Sequence, residues 1–242
     1  MTDLHTHILP GMDDGSKDPE MSLAMLRAER DQGIDSVVLT PHFYHDMESP
    51  RTFLRRRAEA FDTLRRALDA LAPEERDSLP KLSLGAEVAW MPGMSDWPEL
   101  SELCYEGTYY LLLEPPFTPW SERFLRDLYE LLNQRALVPV IAHIDRYVDS
   151  QDKKMLRELY SLGLPTQISA EHFLRFATRG KMLRCLRDGV AQLLISDCHN
   201  LTSRPPNLGA AMEVIHRKLG DAAMSLFRAT DELLTADTWL DD

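Results

Sequence analysis

The chain has 242 residues and a mass of 27.7 kDa, with 44% hydrophobic and 27% charged side chains. That length fits one large domain, expected over residues 1–242, and the composition excludes wholesale disorder, collagen and coiled coil. A formal net charge of −12 repels polyanions, so nucleic acid is not an expected partner.

The first residues, Met-Thr-Asp-Leu-His-Thr-His, hold neither a basic region nor an apolar run, so no signal peptide is expected. The longest apolar runs, Tyr109–Leu113 and Leu137–Ala142, are strand-sized, and membrane insertion is not expected. The three cysteines, Cys104, Cys185 and Cys198, form no Cys-x-x-Cys pair. That suits neither a disulfide framework nor a thiolate zinc site, and a reducing cytoplasm is the expected location.

Short apolar runs alternate with amphipathic stretches along the chain. Strands are expected at Asp3–Ile8, Ser36–Thr40, Leu82–Val88, Tyr109–Glu114, Leu137–His143, Pro165–Ser169 and Val190–Ser196. Their nearly continuous apolarity is that of parallel strands buried on both faces. Asp18-Pro19 reads as an N-cap with proline at the first helical position; the helix should run to about Gln32 and stop at Gly33. Further helices are expected at Arg51–Leu71, Ser121–Gln134, Asp152–Leu162, Glu171–Arg187 and Asn207–Leu219. The alternation predicts an α/β fold, a closed or partly closed barrel, with a doubly wound open sheet as the alternative. The absence of Gly-x-Gly-x-x-Gly and of a P-loop weakens that alternative.

The strands end in metal-ligand chemistry. His5 and His7 sit two apart, so both imidazoles should leave one strand face. The following strands end in Thr-Pro-His42, Gly-Ala-Glu87, Leu-Glu114, Ala-His143 and Ser-Asp197-Cys-His199. Any one of these could be a capped turn or a surface charge. Together, at the carboxyl ends of parallel strands, they predict a multinuclear metal site. Imidazole with carboxylate and no thiolate suits Mn²⁺, Zn²⁺ or Fe²⁺.

These residues are similar to those of the PHP (polymerase and histidinol phosphatase) superfamily. The closer resemblance is to the bacterial capsule and exopolysaccharide protein-tyrosine phosphatases of the CpsB/YwqE type. It is carried by Asp13-Asp14-Gly15, by Gly85-Ala86-Glu87-Val88, by Ile141 to Tyr147 and by Ser196 to Pro206, and it extends to about Gly220. It implies a distorted TIM-like (β/α)7 barrel of the PHP type holding three divalent metal ions, manganese first, with iron or zinc as alternatives. It implies one ion on His5, His7, Glu87 and Asp197, a second on Glu87, Glu114 and His143, and a third on Asp14, His42 and His199. Asp145 departs from the family pattern, where glutamate is expected, and Pro115-Pro116-Phe117 after Glu114 is also unfamiliar.

Three divalent ions outweigh the four carboxylates, so the pocket should be locally positive and draw in a phosphate monoester. The expected chemistry is direct attack by a metal-bridging hydroxide, without a phosphoenzyme. Arg146 and Arg204 are the expected phosphate clamps, since a guanidinium presents a planar fork to phosphate oxygens. His199 is a candidate, beside a metal, for stabilising the leaving group. Asn200 has two readings, a contact to His199 or phosphate and a turn residue. Cys198 and Arg204 satisfy Cys-x5-Arg, but the intervening loop has no glycine, and the neighbouring Asp197 would raise the thiol pKa. Cys198 is therefore expected to be a filler. His45, His172 and His216 are expected to be plain loop, surface or packing residues, and the arginines of Arg51–Arg66 a solvated helix face.

The expected function is hydrolysis of phosphotyrosine on a protein, with a bacterial tyrosine autokinase of polysaccharide export as the implied partner. The alternatives are a small-molecule phosphatase such as histidinol phosphatase, a PHP exonuclease and a non-catalytic module that regulates a kinase.

Overall fold

Asp18 opens helix α1 (Pro19–Arg30) by accepting the Met21 amide at 2.8 Å, and Pro19 gives up an amide that would have no helical partner. Beyond the cap residue Asp31 the chain turns away at Gly33, which holds φ 79°. The same grammar starts α2 (Pro50–Asp69) at Ser49, α4 (Glu122–Gln134) at Ser121 and α5 (Lys153–Ser161) at Asp152. A one-turn helix, α3 (Pro73–Arg76), lies between α2 and α4 and was not anticipated.

A computed structural model describes residues 1–221 and 223. The end of the expected 1–242 domain therefore lies outside the described residues. The strands are β1 (Thr2–Thr6), β2 (Ser36–Leu39), β3 (His42–Phe43), β4 (Lys81–Leu84), β5 (Glu87–Ala89), β6 (Tyr110–Glu114), β7 (Val138–Ile141), β8 (Gln167–Ser169) and β9 (Leu193–Ile195). Each expected strand is present, Leu82–Val88 is divided into β4 and β5, and β3 is a short strand that was not anticipated. Pro41, without an amide proton, separates β2 from β3, and Gly85-Ala86 separates β4 from β5. Gly85 passes so close to its neighbours that a Cβ would lie 3.0 Å from the Tyr105 ring and 3.1 Å from Thr40.

Pairing is parallel throughout. The sheets run β1-β2-β4, β3-β5-β6-β7 and β8-β9. Isolated bridges join Thr6 to Cys198 and Ile141 to Thr166. The α/β class with parallel sheets is as expected; among the described residues the sheets are three and do not form a closed barrel. Single bridges stand where a barrel would need continuous ladders.

One more expected element is divided. Glu171–Arg187 is two helices, α6 (Glu171–Leu174) and α7 (Phe176–Arg187), with Arg175 extended between them. The Arg179 guanidinium donates to the carbonyls of Phe173 and Leu174, at 2.6 and 3.0 Å, and so satisfies acceptors that a continuous helix would use. The last described helix, α8 (Leu208–Leu219), matches its expected span within one residue.

Both faces of the sheets are buried. A smaller cluster of Leu4, Val38, Leu112, Val140, Leu193 and Ile195 draws on five strands. The larger core packs helix residues such as Leu26, Phe53, Phe124 and Leu128 on the strands. Many of the polar exceptions, among them His7, Glu114, His143 and Asp197, lie at or just past the carboxyl ends of the strands.

Candidate metal centre

β1 carries one residue more than β2 between the paired positions Asp3–Val37 and Thr6–Leu39. His5 lies within this irregular stretch and His7 just past the strand end. Their Nε2 atoms come within 3.2 Å. Glu87 Oε2 lies 3.2 Å from His5 Nε2 and 3.4 Å from His7 Nε2, and Asp197 Oδ1 is 3.4 Å from the latter. Donor atoms that share one ion at about 2.1 Å are separated by roughly 3.0–3.4 Å in tetrahedral or octahedral geometry. His5, His7 and Glu87 are spaced as such a set, and Asp197 Oδ1 borders it, 3.7 Å from His5 Nε2.

Glu87 is the centre of the arrangement. Its Oε1 is 2.8 Å from His143 Nε2, and its Oε2 is 2.8 Å from His42 Nδ1. Glu114 Oε1 is 3.4 Å from His143 Nε2. On the outer side, Asp14 Oδ1 lies 3.4 Å from His199 Nε2 and 3.6 Å from His42 Nε2. Three donor groups result: His7, Asp14, His42 and His199; His5, His7 and Glu87; and His42, Glu87 and Glu114. Buried His199 Nε2 has no hydrogen-bond partner, and Glu87 Oε2 and His42 Nδ1, though 2.8 Å apart, are not aligned as a hydrogen bond. Buried polar atoms are almost always satisfied, so these donors fit divalent cations.

The local folding is specific. Asp13 Oδ2 is 2.7 Å from His7 Nδ1 and accepts the His42 amide at 2.9 Å, while its Oδ1 accepts the Gly15 amide. Gly15 must be glycine, because a Cβ there would lie 2.2 Å from the His7 carbonyl oxygen. His5 Nδ1 is 2.8 Å from Gln167 Oε1, and the Gln167 amide donates to Tyr105 Oη at 3.1 Å. These contacts fix the imidazole planes and leave the Nε2 atoms for an ion. His143 and Asp197 hold φ of 28° and 53°, a region that non-glycine residues rarely adopt.

Burial and the charge of neighbouring groups pull in opposite directions on these side chains. Burial opposes protonation of His7, but the Asp13 charge and hydrogen bonds to Asp13, Asp197 and Glu87 outweigh it and raise the imidazole well above its usual range. Burial likewise opposes charge on His143, and bonds to Glu114 and Glu87 still raise it to about 9. Burial disfavours the charged forms of Glu87 and Asp197 too, yet their histidine neighbours hold both below the usual carboxylate range. Burial, with the charge of His7, lowers His199 to about 3 and leaves it a neutral ligand.

Arg146 and Arg204 converge on one atom. The Nη2 of each donates to Asp197 Oδ2 at 2.6 Å, and both side chains remain about one-third exposed. Asn200 is occupied by the loop: its Oδ1 accepts the amides of Thr202, Ser203 and Arg204 at 2.8–3.1 Å. Of its two readings, the structure places it in the turn, and its side chain shapes the segment that carries Arg204.

Two other residues and one helix face have partners that the sequence did not indicate. His45 stacks on Trp97 at 4.1 Å rather than lying free in a loop. His172 is not a plain surface residue: its Nε2 lies 2.9 Å from the buried Asp145, which also accepts the Ser169 amide at 2.8 Å. The Arg51–Arg66 face is largely paired, with Arg55 on Glu59, Arg56 on Glu48 and Arg57 donating to the carbonyls of Gly85 and Glu102. Cys198 is fully buried with its thiol 3.6 Å from Glu29; burial and that carboxyl push the thiol pKa well up. Asp13, Gln167 and Tyr105 were not assigned roles from sequence. Only Asp13, within the Asp13-Asp14-Gly15 segment, carried a local signal.

The comparisons with known proteins agree with one another. Residues 1–234 match the family described as capsular polysaccharide synthesis, CpsB/CapC. The chain is 31% identical to the tyrosine-protein phosphatase CpsB of Streptococcus pneumoniae, over 91% of each chain. It is 28% identical to the tyrosine-protein phosphatase YwqE of Bacillus subtilis, over 97% of this chain and 91% of the relative. A solved structure from work on YwqE and CpsB, described as unique metal-dependent tyrosine phosphatases, superposes with a TM-score of 0.82 at 26% identity. The match covers 100% of this chain and 96% of the other.

Proposed function

Because the chain belongs to the CpsB/CapC family of capsular polysaccharide synthesis proteins, we propose that it is a metal-dependent phosphatase that hydrolyses phosphotyrosine on a protein. The observation that carries the reading is the gathering of imidazole and carboxylate donors around Glu87, with two arginines on the adjoining Asp197. The proposed ligands are His5, His7, Asp14, His42, Glu87, Glu114, His143, Asp197 and His199, for three divalent ions, manganese first and iron or zinc as alternatives. We read the three sheets as parts of one distorted (β/α)7 barrel and residues 1–242 as one catalytic unit. The proposed partner is a tyrosine autokinase of capsular or exopolysaccharide synthesis, met in the cytoplasm. Among the described residues no helix is long and apolar enough to cross a membrane.

When bound, divalent ions lower the pKa of water to roughly 7 and offset the charge of a phosphoryl group. The chain's own residues supply the rest. Arg146 and Arg204 each donate one N–H to Asp197 and keep further N–H groups for phosphate oxygens, a bidentate match that lysine lacks. Asn200 holds the loop on which Arg204 stands. A tyrosine phenolate, with a pKa of about 10, leaves with little help from an acid. His199, buried at the outer donor group, is read as acting on that oxygen through the ion it would hold.

The test is hydrolysis of p-nitrophenyl phosphate and a phosphotyrosine peptide by four samples: wild type, wild type chelated and then given Mn²⁺, Cys198→Ser and His42→Ala. Chelation and His42→Ala should abolish turnover, Mn²⁺ should restore it and Cys198→Ser should retain it. A dead Cys198→Ser with an active chelated enzyme would overturn the assignment. Faster turnover of histidinol phosphate than of the peptide at equal concentration would overturn the protein-substrate reading.

A further inference from the structure

The Pro115-Pro116-Phe117 segment takes no part in the chemistry above. It follows Glu114 directly and is held unusually firmly for a loop. The two prolines restrict φ. Tyr147 Oη donates to the Pro115 carbonyl at 2.6 Å, and Trp120 Nε1 donates to the Pro116 carbonyl at 3.2 Å. Gln151 ties down the rest: its Oε1 accepts the Trp120 amide at 2.8 Å, and its side-chain amide donates to the Thr118 carbonyl at 3.2 Å.

What this rigid loop presents is a phenyl ring to solvent. Phe117 is 66% exposed. One face of the ring rests on Tyr147 at 5.6 Å, and Tyr147 in turn lies 6.0 Å from the His143 ring. On the far side of Glu87, Tyr44 stacks on His42 at 5.4 Å, and the exposed Met47 borders a cleft of about 400 Å³ with Met12, Asp14 and Arg56. The donor cluster is thus flanked by Tyr44 at His42 and by the Tyr147–Phe117 pair at His143, and the Phe117 segment is held by its own hydrogen bonds. An exposed aromatic on a pre-ordered segment costs little entropy when it is covered, which is how binding anchors are built.

We infer that Phe117 is a specificity residue that seats an apolar side chain adjacent to the phosphotyrosine of an extended peptide segment. The inference rests on the phosphotyrosine reading of the site and narrows its substrate class. Charge favours the same choice. The chain carries a formal net charge of −12, so an acidic neighbour to the phosphotyrosine is disfavoured outside the positive pocket.

The experiment is a cycle of two peptides and two enzymes loaded with Mn²⁺. The peptides carry leucine or serine next to the phosphotyrosine; the enzymes are wild type and Phe117→Ala, with Phe117→Leu as the conservative variant. Wild type should prefer leucine by about tenfold in kcat/KM, mostly through KM. Phe117→Ala should reduce that preference to about twofold or less, and Phe117→Leu should restore most of it. Peptide turnover without a leucine preference, or with one that survives Phe117→Ala, overturns this inference alone. Failure of wild type to hydrolyse either peptide overturns the phosphotyrosine reading, and this inference with it.

Discussion

Two buried polar clusters share β1 and the segment after β9, and they behave in opposite ways. His5, His7, Glu87 and Asp197 form one; Asp3, Glu29 and Cys198 form the other. All seven side chains are almost completely buried. In the first cluster every carboxylate faces imidazoles, and Glu87 and Asp197 stay charged despite burial. In the second the acids face each other, and burial outweighs the pull of His5 on Asp3. Burial pushes Asp3 up to about 6, and burial with the charge of Asp3 raises Glu29 well above its ordinary value. Asp3 Oδ2 and Glu29 Oε2 are left without hydrogen-bond partners. Burial alone does not make a reactive site. The charge complement decides whether neighbouring residues of one strand hold ions or hold protons.

That contrast can be attacked directly. The largest effect should come from removing the complement: Asp197→Ala strips charge from the imidazoles and frees both arginines, so kcat should fall by about a thousandfold or more. A steady-state assay with Mn²⁺ checks it, and residual turnover within tenfold of wild type would dissolve the distinction. Arg204→Lys keeps the charge but loses the fork, and a loss of about 100-fold in kcat/KM for aryl phosphates is expected. Asp13→Asn leaves the ligands untouched and weakens the orientation of His7. Metal affinity, measured by calorimetric titration, should drop about 10–100-fold. Cys198→Ser probes the inert cluster, where the buried thiol is held protonated; turnover should stay within about threefold of wild type.

The smallest effect is a pH slope. Glu29 has a folded pKa above its usual 4.5, so the folded state binds the proton more tightly. Its stability contribution is therefore greatest below about 4.5 and is lost as pH rises through the folded value. Glu29→Gln should remove that slope, so the Tm difference between variant and wild type should grow in the variant's favour from pH 4.5 to 8. A constant difference would mean that Glu29 is ionised in the fold.

The donor set was legible because its residue types recur at strand ends; His5, His42, Glu87 and Asp197 needed no knowledge of long-range pairing to be noticed. Their supports were not. Gln167 reaches His5 from a strand 162 positions away, and glutamine carries no signal of such a role. His172 sits in a helical pattern, and its tie to Asp145 depends on how α6 leaves β8. Helix periodicity ran through Arg175 because the interruption is made by Arg179 reaching backward, a tertiary event in local guise. Strand lengths were overestimated because apolar runs continue past the last paired residue, into loops buried for the site's sake.

The junction between the first strand and the last has a kinetic consequence. Thr6 bridges Cys198, the His7 amide donates to the Cys198 carbonyl, and the Asp197 amide donates to the His5 carbonyl. Closing that seam spans nearly the whole chain, so this part of the molecule has high contact order and should form late and slowly. A chain emerging from the ribosome exposes His5 and His7 first and waits for Asp197, His199 and Arg204. A chain made only as far as the middle sheet lacks the donors after β9, so the full donor set can assemble only once Asp197 and His199 have been made.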